Sequence, residues 1–138
     1  MFEKILLAVD TSEHSRKAIT TAAELAKTVS GEVHVFHVRP LVAAGRGGLF
    51  DVDLTEQEHN VAEEVCRELE EAGITATAQR IAGYHGDTGR MIVRAADEKD
   101  SDLIVIGTRG HSEIPSVLLG SVAHKVVHLA DRPVLIVR

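Results

Sequence analysis

Two spacings of apolar residues share this chain. Short unbroken runs, Ile5-Leu-Leu-Ala-Val9, Leu103-Ile-Val-Ile106 and Val134-Leu-Ile-Val137, read as strands covered on both faces. Between such runs the apolar positions recur every three or four residues. Ala18, Ala22, Leu25 and Val29, with Ile19 and Ala26 beside them, predict a first helix that starts at a cap on Thr11 or Ser12 and stops at Gly31. Val33 to Val38 predicts a second strand, ended by Pro40. Residues 41–54, with Gly45-Arg-Gly-Gly48, show no period and read as a mobile loop. Thr55-Glu-Gln-Glu58 is a capping box ahead of a helix face formed by Val61, Val65, Leu69 and Ala72, and Gly73 closes that helix. Ile74 to Ile81 is a Thr- and Ile-rich strand. Asp87 or Thr88 caps a third helix carrying Ile92, Ala95 and Ala96, and a fourth carries Val122, Val126 and Leu129.

The resulting order, βαβαβαβαβ, implies one parallel sheet with right-handed crossovers and helices on both faces. Strand order does not follow from periodicity. Both 3-2-1-4-5 and the flavodoxin-type 2-1-3-4-5 fit the pattern. A length of 138 residues with no linker or repeat predicts a single domain over 1–138.

Composition narrows the function classes. The net charge of -6 and the near absence of aromatic side chains argue against nucleic acid, which needs cations for phosphates and rings for unpaired bases. The same charge disfavours anionic membranes, and the apolar runs fall short of the ~18 residues of a spanning helix. One cysteine, Cys66, and a first strand beginning almost at Met1 without a signal-peptide pattern predict a cytoplasmic protein. Cys66 reads as a small filler, and Glu63, Glu64, Glu68, Glu70 and Glu71 as the wet face of the second helix. His124 and His128 are spaced to share a helix face but have no further metal-binding partners nearby. His34 and His37, three apart in a strand, point to opposite faces.

The candidate chemistry lies after the fourth strand, in Gly107-x2-Gly110-x9-Gly120-Ser121. Ligands of open α/β sheets bind beyond the carboxyl ends of the strands, where strand order reverses. Gly107 and Gly110 can take positive φ and turn backbone N–H groups outward. Gly120 and Ser121 stand where the fourth helix starts, with free amides and the positive dipole end for an anion. The alternative is that the glycines only make turns. The segment is neither a P-loop, since no Lys follows a glycine at the required place, nor a Gly-x-Gly-x-x-Gly turn after the first strand.

That motif resembles the ATP-binding signature of the universal stress protein family. The likeness runs the length of the chain, through Lys4-Ile-Leu-Leu-Ala-Val-Asp-Thr-Ser12, Asp102-Leu-Ile-Val-Ile-Gly107 and Pro133-Val-Leu-Ile-Val-Arg138. The resemblance implies strand order 3-2-1-4-5, so that Asp10 faces the glycine segment across one crevice. It implies ribose or metal-phosphate contact at Asp10, adenine against Val38, and ribose and phosphates on Gly107, Gly110, Gly120, Ser121 and Val122, with Arg109 and His111 beside them. ATP, ADP or AMP would be the ligand, with Mg²⁺ held at Asp10. Asp10 also reads simply as a cap of the first helix. Glu113 and Pro115 depart from the Gly and basic residue often found there in the family, which bears on ATP against AMP. The last strand, 134–138, holds the uninterrupted apolar run Val134-Leu-Ile-Val137 and lies at the sheet edge in the family order, so it predicts a homodimer by edge pairing, as the resemblance also implies. No Walker lysine and no base for water are evident, so the expectation is a nucleotide-binding regulator with a protein partner, at most a slow ATPase. A nucleotide-free interaction module of the same fold is the alternative.

Overall fold

The computed structural model describes residues 1–44, 48–51, 56–108 and 119–138. Along the chain run β1 (Lys4–Ala8), α1 (Glu13–Val29), β2 (Glu32–Ala44), β3 (Gly48–Asp51), α2 (Glu56–Glu71), β4 (Thr75–Tyr84), α3 (Thr88–Glu98), β5 (Leu103–Gly107), α4 (Ser121–Leu129) and β6 (Val134–Val137). β4, β2, β1, β5 and β6 lie side by side in that order, every pair parallel. Counting the parallel strands alone, this is 3-2-1-4-5, and the flavodoxin-type order is excluded.

Alternation along each strand divides the core into two layers. Ile5, Leu7, Val33, Val35, Leu103 and Val105 pack against α1 and α2. Leu6, Ala8, Phe36, Ile104 and Ile106 pack against α3 and α4. Both layers are apolar at the centre of the sheet because Ile5 to Ala8 and Leu103 to Ile106 are apolar at successive positions, as a sheet covered on both sides requires.

Ser12 caps α1, its hydroxyl accepting from the Ser15 N–H at 3.3 Å. Gly31 does not end that helix. Ser30 takes the left-handed conformation at φ 55, and Gly31 serves a different need. A Cβ at Gly31 would stand 2.8 Å from the Glu3 carbonyl oxygen, beside the hydrogen bond that Glu32 donates to the same oxygen at 2.7 Å. Gly73, at φ 82, is the helix-ending glycine that the pattern indicates. Asp87 precedes α3 but its side chain makes no capping bond. Thr55 of the capping box lies outside the described residues. Leu129 is 38% exposed at the end of α4 rather than part of its buried face.

The largest departure from the sequence reading is β2. It does not stop at Pro40 but runs to Ala44, and β3 folds back on it antiparallel through Leu41↔Asp51 to Ala44↔Gly48. Residues 41–44 and 48–51 are therefore strand, not loop. The Val9 N–H donates to the Phe36 carbonyl, so even-numbered residues of β2 aim their main-chain groups toward β1. Pro40 shares that parity. Its ring nitrogen faces the gap between the end of β1 and the start of β3, where no ladder bond is lost. Leu41 pairs both Asp51 and Tyr84, which sets β3 on the β1 edge of β2, beyond the carboxyl end of β1.

Candidate nucleotide site

β1 and β5 are neighbours, paired from Ile5↔Leu103 to Ala8↔Ile106, yet their following helices cross to opposite faces of the sheet. Chain and helix diverge at that point and leave a crevice past the carboxyl ends. Asp10 and Thr108 each stand two residues beyond the last pair, so the segments that the sequence singles out do meet there.

On the β1 side, Asp10 is half-buried and locally braced. Its Oδ1 accepts from the Ser12 N–H at 2.8 Å and from the Ser12 hydroxyl, while its own N–H donates to Ser15 Oγ at 2.9 Å. Asp10 therefore fixes the turn into α1, and Ser12 is the cap. Among the described residues nothing donates to Oδ2, which leaves half the carboxylate for a ligand or cation.

On the β5 side, the Gly120 N–H donates to the Thr108 carbonyl at 2.6 Å, and the first helical bond of α4 runs from the His124 N–H to the Gly120 carbonyl at 2.9 Å. The Gly120 amide is thus already used within the protein. The amides of Ser121 and Val122 fall in the first turn, ahead of that first helical bond, where a helix offers no internal acceptor. Gly120 has φ -65, so it is not held there by a left-handed conformation. Gly107 likewise does not take positive φ; of the described glycines only Gly73 does. Gly107 stays in β5, paired with Val137, and a Cβ on it would meet the His14 backbone at 2.9 Å. Its bareness lets the first turn of α1 close over β5. Arg109, Gly110, His111, Glu113 and Pro115 lie outside the described residues.

Sequence reasoning missed Thr108 and His37 here, and named Val38 without the role of its main chain. Thr108, buried, links the two sides: its carbonyl takes the Gly120 amide and its hydroxyl lies 3.4 Å from His14 Nδ1. His37, 5% exposed, donates from Nδ1 to the Val9 carbonyl at 2.8 Å. A carbonyl can only accept, so Nδ1 carries a proton, and Nε2 is buried without a partner among the described residues. An unsatisfied buried polar atom costs about 1–3 kcal/mol, so the tether is held against an opposing term. The third is the main chain of Val38. Its side chain packs in the α3/α4 layer, as the alternation requires. Its N–H and C=O share the parity of Phe36 and face the gap beyond β1. No backbone bond joins Val38 to Val9 among the described residues. A strand rule could have found it: a residue one step past the last ladder bond, ahead of a proline of the same parity, shows both main-chain groups to the gap.

The helices α1 and α4 both aim their N-termini at this crevice, so partial positive charge converges on it from two directions. Among the described residues no group of three potential metal ligands exists, and His124 and His128 lie on the exposed side of α4. A cavity of mixed lining, with Lys4, Glu32, His34 and Lys99 beside Ile5 and Val33, opens at the opposite, amino end of the sheet. Burial, with Lys99 nearby, pushes the His34 imidazole below its ordinary value against a hydrogen bond to Gln79 that raises it. Burial and the carboxylates of Glu70 and Glu63 push the Cys66 thiol up, away from reactivity.

The universal stress protein family model matches residues 1–138. The chain is 35% identical to universal stress protein YxiE of Bacillus subtilis over the full length of both. The solved structure of protein MJ0577 of Methanocaldococcus jannaschii superposes with a TM-score of 0.80 at 25% identity, covering 99% of this chain and 96% of that one. A universal stress protein from Archaeoglobus fulgidus, solved in complex with dAMP, superposes with a TM-score of 0.72 at 26% identity over the whole of both chains.

Proposed function

The chain belongs to the universal stress protein family, and on that premise we propose that it is an adenine-nucleotide-binding regulator of the stress response. The single observation that carries the reading is the crevice where β1 and β5 part. In this reading the half-free carboxylate of Asp10, the first-turn amides of Ser121 and Val122, and the open main chain of Val38 serve one ligand there; the β1–β5 pairing and the Thr108–Gly120 bond support it. Phosphates suit the start of α4, where N–H groups and the dipole attract an anion. The Val38 pair suits the N1–N6 edge of adenine: the N–H meets N1 and the carbonyl takes the N6 amino proton. A 6-oxopurine offers an N1–H and an oxygen there and meets the same two groups with the wrong polarity, a mismatch of the kind that discriminates strongly. The dAMP complex of the Archaeoglobus fulgidus relative supports a ligand of this class. Gly107, Arg109 and Gly110 complete the proposed site, and Asp10 with nucleotide phosphates is the donor set that Mg²⁺ accepts, one carboxylate plus phosphate oxygens and water. The protein acts in the cytoplasm as one domain over 1–138, paired into a homodimer through β6, and signals to a protein partner. No step of catalysis is assigned to it.

A second reading, a nucleotide-free interaction module, has its own support: packing accounts for Gly107, and Thr108 takes the Gly120 amide. Calorimetric titration separates the two. Micromolar binding of AMP, ADP or ATP, roughly -8 kcal/mol, is expected. IMP should bind at least tenfold more weakly than AMP, and Gly120→Val should abolish binding while unfolding stays cooperative. Absence of adenine absorbance in the denatured protein, together with flat titrations, would favour the second reading.

A further inference from the structure

We infer that His37 is a positioning residue that keeps the base-reading edge of β2 open. The inference rests on the nucleotide reading above. In a parallel ladder, Val9 would donate to Phe36 and accept from Val38. Only the first bond forms, at 2.9 Å. The Val9 carbonyl is taken instead by the His37 imidazole at 2.8 Å. The side chain of one residue thus displaces the main-chain amide of the next, and the ladder between β1 and β2 ends one bond early. The freed Val38 N–H and carbonyl face the gap that β1 no longer fills.

An apolar residue of similar size would fill the same space without burying an Nε2 that has no partner among the described residues. What it lacks is a donor for Val9. Without that donor the carbonyl turns to Val38, the ladder closes by one bond, and the adenine edge loses its reader. His37 and Val38 therefore work as a pair. The imidazole lies on the face of Val33 and Val35, the Val38 side chain lies on the other face, and the main chain between them is presented edge-on.

Two variants test this. In His37→Phe the donor is lost; AMP affinity should fall at least tenfold and hydrogen exchange of the Val38 amide, measured without nucleotide, should slow at least tenfold. In His37→Asn the side-chain amide stands near the place of Nδ1, so both properties should return to within about threefold of wild type. A His37→Phe protein with unchanged Val38 exchange overturns the inference, as does one that keeps wild-type AMP affinity. If wild type binds no nucleotide, the functional reading fails, and the exchange comparison still decides whether His37 holds the ladder open.

Discussion

Gly107 and His37 show how much one residue can hide. A glycine at the end of β5 suggests a flexible turn or a phosphate cradle, but its backbone is ordinary strand and its missing side chain makes room for the first turn of α1. The sequence carries the glycine, not the helix that lies over it ninety-odd positions earlier, so its purpose was illegible. His34 is legible in half: alternation sets it opposite His37, while its partners, Thr77 on Nδ1 at 2.7 Å and Gln79 on Nε2 at 3.0 Å, come from a strand more than forty positions on. Its environment leads to a pH dependence. Burial lowers the folded pKa, so the unfolded chain takes up the proton first as pH falls. Stability is unaffected above the ordinary imidazole value of about 6.5 and declines below it until the folded ring also protonates. The melting temperature of wild type should therefore fall more steeply below that pH than the melting temperature of His34→Gln. Parallel curves for the two proteins would remove His34 from the account.

Elements were legible where apolar period and stop signals agreed, and less so where one residue spoke for a whole strand. α1 is the clear case, with its buried face of Ala18, Ile19, Ala22 and Ala26 and a cap at Ser12. Ser12→Ala should cost about 1 kcal/mol, since it removes the cap and one of the two bonds to the Asp10 carboxylate. In urea the midpoint should drop with the slope unchanged, and an unshifted midpoint would mean the cap contributes nothing. β2 was the misread element. Proline suggests a terminus, but its parity leaves the β4 ladder whole through Pro40↔Gly83. The apolar pairs Leu41-Val42 and Leu49-Phe50 around Gly45-Arg-Gly-Gly48 carry a hairpin signal that the lack of a long period concealed. No spacing in the sequence marks Arg132, since two of its partners are main-chain carbonyls. It donates to Ala96 and Ser101 at 2.9 and 2.8 Å and pairs with Asp97 and Asp131, tying the end of α3 to the approach to β6.

At the scale of the whole molecule, the element order alone gave a parallel sheet, but not which strands are neighbours. The family likeness supplied that order, and the pairing of β1 with both β2 and β5 bears it out. The sheet has β6 at one margin, where Val134, Leu135, Ile136 and Val137 are all part-exposed. If that margin is the proposed dimer contact, sedimentation equilibrium should return twice the chain mass of 14.9 kDa at micromolar concentration. A single species of the chain mass would count against it. The central pairing has a temporal consequence as well. Ile5 meets Leu103, so the middle of the sheet closes a loop of roughly a hundred residues, an entropic cost that grows with the logarithm of length and slows such folds. During synthesis β1 and β2 can associate early, but one flank of β1 stays bare until β5 has left the ribosome, so the nascent chain spends most of its birth with an apolar strand half clothed.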